Sequence, residues 1–185
     1  MAIASRLRGP SGTADPVLSL VARFLFAAVL LPYYWASGLT KLGEGPAGLL
    51  SPSLGAYAQI FPRQFEAAGY DVGQMGWLHW GVVVAGTWAE FLLPLAIALG
   101  LLTRLAALGM IGFVAVQTAT DLVGHGALAH AETVGAWFDR MPDSVIMDQR
   151  SLWLFLLVVL AVKGGGALAL DRVLFDRIDS PPPAL

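Results

Sequence analysis

Apolar residues in this chain fall into four long runs, not into the short alternating or half-turn faces of a soluble domain. A helix that spans a bilayer needs about 20 mostly apolar residues. The first run covers residues 17–39 and is interrupted by Arg23 and Pro32. The second, 77–102, carries Glu90 and Pro94; the third, 105–123, carries Gln117 and Asp121 near its far end; the fourth, 151–170, carries Lys163. The pattern predicts an all-α membrane protein, a four-transmembrane-helix bundle. Only Thr103 and Arg104 separate the second run from the third, which predicts a tight antiparallel hairpin between spans 2 and 3. Proline inside spans 1 and 2 predicts kinks that neighbouring helices absorb.

The two long connections then leave on one side, the outer side in this reading. Both are expected to hold short interfacial helices. In the first, Ser51 suits an N-cap and Pro52 the first helical position. Leu54, Tyr57, Ile60 and Phe61 would share one face, laid on the membrane surface. The second connection mixes aromatic and acidic residues: Glu132, Trp137, Phe138, Asp139 and Asp143. The chain thus divides into an N-terminal tail at 1–16, a membrane unit at 17–174 and a C-terminal tail at 175–185.

Composition strengthens the membrane reading. Of 185 residues, 57% are hydrophobic and 13% charged, against roughly 25% charged in a soluble domain. So short a chain cannot hide that much apolar surface from water. The net charge of −2 supplies no basic field for nucleic acid. No cysteine is present, which excludes disulfides, thiol redox chemistry, iron–sulfur clusters and cysteine-ligated zinc. No signal-peptide core lies directly behind Arg6 and Arg8, and the first apolar run is long enough to stay as an anchor. Arg6, Arg8, Arg104, Arg172 and Arg177 gather on one side of the spans; Lys41, Arg63, Arg140 and Arg150 are diluted over the longer loops. The bias predicts a multi-pass protein with both termini in the cytoplasm.

Charges inside spans need a partner or a wet cavity. Glu90 lies 13 residues into its span, roughly 20 Å deep at 1.5 Å per residue. Arg23 lies six residues into span 1, roughly 9 Å from its end by the same rise. An Arg23–Glu90 ion pair is the expected geometry. Either it fixes helix packing, or Glu90 carries a proton or holds a polar ligand. Lys163 is read as snorkelling to lipid headgroups. Lys41 either meets Asp121 at the outer surface or stands in solvent. Trp35, Trp77, Trp80 and Trp153 read as an aromatic belt, with Trp35 beside Gly38 also placed to line a pocket. His79, His125 and His130 are polar interface residues in this reading; haem or metal ligation would need them to face one another. No metal site is expected.

Several segments together resemble the DoxX family of small four-helix membrane proteins. They are Arg23 early in span 1, SGLTK at its end, AE in span 2, LLPLAIALGLLTRLAALGM through the hairpin with Arg104 at its turn, and KGGGALALDRVL with Asp171. The resemblance runs from about residue 23 to residue 174. Two departures stand out: Gly165 replaces a proline frequent between the closing glycines, and the 124–150 loop is longer than usual. The resemblance implies a bacterial inner-membrane protein tied to redox chemistry. A related family supplies the membrane subunit of a thiosulfate:quinone oxidoreductase, and other members look like scaffolds for redox-defence partners. A quinone is then the implied ligand, with no covalently bound cofactor, and a redox protein and a further copy of the chain are the implied partners. Arg23, Glu90, Trp35 and Lys41 would form the polar core, with Arg104, Asp121, Lys163 and Asp171 in secondary roles. Two alternatives stay open: a non-catalytic anchor or assembly protein, and a small-solute or proton carrier using Glu90, for which four spans are few.

Overall fold

The computed structural model describes residues 14–178, with side chains from 16 to 174. Arg6, Arg8, the Arg177 side chain and the proline-rich end fall outside the described residues, and with them most of the two tails.

Among the described residues, four helices are long and apolar enough to cross a membrane. The first, α1, runs Ala14–Lys41. After a 3-10 turn at Pro46–Leu49 come two short helices, α2 (Leu54–Ile60) and α3 (Pro62–Ala67). The second span is α4 (Trp77–Leu99), and the third is α5 (Thr103–Ala119), prolonged by a π-helical turn at Thr120–Gly124. A short α6 (Ala131–Val134) sits in the second long connection. A π-helical turn at Val145–Gln149 leads into the fourth span, α7 (Arg150–Lys163), and α8 (Leu170–Ile178) closes the described chain.

Consecutive spans are neighbours. α1 packs on α4 and on α7, and α5 packs on the same two. The four therefore close a ring of alternating direction. One end carries both long connections and is called the loop face; the other carries the 100–102 turn and is called the hairpin face. Gly100 ends α4 at φ 72°, and Leu102 precedes α5 at φ 46°, so the predicted hairpin is made by two left-handed residues. The fourth span ends at Lys163, earlier than its apolar run, because Gly164 and Gly166 turn at φ 83° and 80°.

The buried stripe of α1 explains how the ring holds. Ser19, Ala22 with Arg23, Phe26, Leu30, Tyr34, Gly38 and Lys41 recur every three or four residues and face inward. The middle of this stripe is apolar and meets Ile97, Met110, Val114, Leu157 and Leu160 in one core. Both ends of the stripe are polar. On the loop face a second, smaller core joins Ala56, Tyr57 and Phe65 of α2 and α3 to Val83 of α4.

This smaller core corrects the expected surface helix. Ser53, not Ser51, is the N-cap, its hydroxyl accepting from the Ala56 amide at 3.2 Å. Pro52 therefore falls before the cap. The proposed single face is split: Leu54 is 61% exposed, while Tyr57 is buried against α4, and burial pushes its phenol above the ordinary value. The reason is α4 itself, whose first turns rise past the end of α1 and offer an apolar wall to cover.

Candidate functional site

Glu90 meets Lys41, not Arg23. The Lys41 ammonium lies 3.0 Å from Glu90 Oε2, and both side chains are only 5% exposed. Lys41 also donates to Ser37 Oγ at 2.7 Å, and Ser37 Oγ donates to Glu90 Oε1 at 3.2 Å. Ser37 and Lys41 are one turn apart on α1, so one helical face presents both groups to the carboxylate. The expected Arg23–Glu90 pair fails on register. Because Ser37 stands beside Glu90 and Gly38 beside Phe91, antiparallel running puts Arg23 beside Gly100. Arg23 is thus about 21 Å from Ser37 along the helix axis. Counting depth from Trp77 misplaced Glu90, since the first three turns of α4 stand above the end of α1.

A glycine notch seats the pair. A Cβ on Gly38 would lie 2.7 Å from the Phe91 ring, so Phe91 fills the space that glycine leaves. Trp35 donates its indole N–H to the Phe91 carbonyl at 3.2 Å. The rings of Trp35 and Trp88 each lie 6.3 Å from that of Phe91. Trp35, Phe91 and Trp88 form an aromatic panel on the flank of the α1–α4 contact. Trp88 and Trp80 also donate to the Leu49 and Leu50 carbonyls, drawing the first connection down against α4.

A second charged pair occupies the same end of the bundle. Arg150, 3% exposed, pairs with Asp121 and donates to Thr118 Oγ1 at 2.9 Å. The suggested Lys41–Asp121 contact is therefore not made: each of those charges has another partner. Between the two pairs, buried Tyr34 donates to Gln117 Oε1 at 3.3 Å, and Gln117 donates to the Tyr33 hydroxyl at 3.3 Å. Trp153 packs on both tyrosine rings. It belongs to this internal cluster as much as to a belt.

At the hairpin face, Asp171 is the organising carboxylate. It accepts from the Thr103 amide at 2.9 Å, from Thr103 Oγ1 at 2.8 Å and from the Leu102 amide. These are the free donors of the α5 N-terminus. Arg23 feels the Asp171 charge, and its Nη1 is buried without a hydrogen-bond partner, lodged where Gly100 lacks a side chain. A Cβ on Gly165 would stand 2.6 Å from Thr103 Oγ1, so the glycine that departs from the expected proline permits the close approach. Arg104 lies across Gly164, and Lys163 stands exposed in the last turn of α7.

The histidines have separate surroundings. His79 meets the Phe61 ring edge-on at 4.9 Å, His125 lies 3.0 Å from the Gln59 carbonyl, and His130 is exposed beside Glu132. Sequence reasoning missed Ser37, Tyr34, Gln117, Thr118 and the inward aim of Arg150. The i, i+4 spacing of Ser37 and Lys41 was the available signal for the first; nothing local marks Arg150, which looks like a loop residue.

Residues 18–130 match the family model described as DoxX. No curated protein and no solved structure matches the chain.

Proposed function

Because the chain belongs to the DoxX family, we propose that this multi-pass membrane protein is the membrane-embedded subunit or scaffold of a redox system, with Lys41, Ser37 and Glu90 receiving the polar head of a quinone. The observation that carries the reading is the buried Lys41–Glu90 pair behind the Trp35–Phe91–Trp88 panel. An apolar slot with one or two polar groups is what a lipid-soluble ring with carbonyl oxygens needs. The donor set fits. All three Lys41 N–H groups have acceptors, Ser37 Oγ, Glu90 Oε2 and, at 3.4 Å, the Ser37 carbonyl, and a ligand oxygen would displace the longest of these contacts. Glu90 accepts from Lys41 and Ser37 and would reprotonate Lys41 only after taking up a proton itself. Quinone reduction takes two electrons and two protons; a redox protein docked on the loop face would supply the electrons, and water at the loop face would supply the two protons by way of Glu90 and Lys41. The aromatic flank excludes water from the pair, which strengthens its electrostatics. The same reading puts the loop face outside a bacterial inner membrane.

The test is purification in native lipid, followed by solvent extraction and quinone quantification. Wild type should retain quinone, and Lys41→Ala and Glu90→Gln should lose it while still eluting as folded protein. Absence of quinone from the wild type, or equal retention in both variants, overturns the ligand. Failure to co-purify any soluble redox protein from the same membranes overturns the partner.

A further inference from the structure

The second long connection carries an apolar tip that the redox reading does not use. Phe138 is 105% exposed, and its backbone is left-handed at φ 68°, a conformation a bulky residue adopts only when its surroundings impose it. Trp137 and Met141 are exposed beside it, at 59% and 64%. In water this tip would be an unexplained cost.

Its height in the bundle explains it. Arg150 meets Thr118 and Asp121, so the first turn of α7 lies level with the last turns of the third span. Trp137 donates its indole N–H to the Met147 carbonyl at 2.9 Å and to Ser151 Oγ at 3.3 Å, on that same turn. The tip is therefore held at the rim of the membrane-crossing part of the molecule. Below it on α7, Leu152 and Phe155 are exposed at 66% and 64% and form the lipid-facing wall of the fourth span. Trp137, Phe138 and Met141 extend that wall outward.

The tip is also preformed. Asp139 accepts from the Met141 amide at 2.9 Å, which fixes the turn after Phe138. Gly135, at φ 73°, lies so close to Ser144 that no Cβ would fit, which ties the other side of the loop to the start of the fourth span. Arg140 is exposed within the tip, where a guanidinium can reach lipid phosphate.

We propose that residues 137–141 are a membrane-seated anchor: Trp137 and Phe138 enter the headgroup–acyl boundary of the leaflet at the loop face, with Arg140 at the phosphates. The occupant of this surface is the bilayer itself. Tryptophan, phenylalanine and arginine are the residue types favoured at that depth.

The chain has no cysteine, so single labels are unambiguous. Phe138→Cys and, separately, Met141→Cys are labelled with an environment-sensitive fluorophore and placed in phosphatidylcholine nanodiscs. Glu66→Cys, exposed on α3, is the control. Nitroxide lipids labelled near the headgroup should quench both tip positions and leave Glu66 bright, and the tip emission should be shifted to the blue. Two unquenched, water-like tip labels would overturn the proposal. Protection seen in native membranes but absent in pure-lipid nanodiscs would also overturn it, and would assign the tip to a protein partner.

Discussion

Lys41 and Glu90 form a pair that neither residue can leave cheaply. Removing one partner of a buried ion pair costs about 3–5 kcal/mol, because the other charge stays behind. Lys41→Ala should therefore lower the melting temperature in detergent sharply. Adding Glu90→Gln should restore part of the loss, since the uncompensated carboxylate is then gone. Arg23→Ala combined with Glu90→Gln should be additive, because Arg23 and Glu90 lie at opposite ends of the α1–α4 contact and share no partner. Fluorescence-detected gel filtration after heating checks both statements; strict additivity in the first pair, or coupling in the second, would contradict the observed register.

Among the elements, the closing segment works as a clasp at the hairpin face. Asp171 satisfies the α5 N-terminus from 68 residues away in sequence, and the Asp171 amide donates back to the Gly100 carbonyl at 2.9 Å. Asp171→Ala should cost about 0.5–2 kcal/mol, the usual loss of a helix cap, and Asp171→Asn less. Gly100→Ala should be worse than either, since a methyl group there meets the left-handed backbone and the Arg23 guanidinium together. Thermal melts of the three variants give the order; a neutral Gly100→Ala would mean that Arg23 does not fill that space.

For the whole molecule, the polar residues form two layers with an apolar core between. Arg23, Thr103 and Asp171 make one layer; Lys41, Glu90, Asp121 and Arg150 make the other. From Arg23 to Lys41 the rise along α1 is about 27 Å, close to the roughly 30 Å of a hydrocarbon core. The layers therefore match the two interfaces, and the charges that interrupt the spans escape most of the cost of mid-bilayer burial. Topology reporters fused at Ala58 and Ala131 should appear on one side, since both connections leave the loop face. In the proposed orientation that side is the outside. Opposite signals at the two sites would break the four-span arrangement, and cytoplasmic signal at both would invert it.

Residue order alone determined the four spans, the tight hairpin and the solvent, because each rests on run length and composition, which are local. The SGLTK segment even carried Ser37 and Lys41 on one face of α1. What tertiary structure decided was who meets whom. Glu90 took Lys41 over Arg23 because the register of α1 against α4 was set by Phe91 seating in the Gly38 notch, with the first turns of α4 standing above the end of α1. Asp121 took Arg150 because the fourth span begins within a connection that reads as loop. Asp171 reached the α5 N-terminus because three glycines let the chain turn tightly under it. Each of these depends on the relative height of elements far apart in sequence, and hydropathy along a single chain carries no information about relative height.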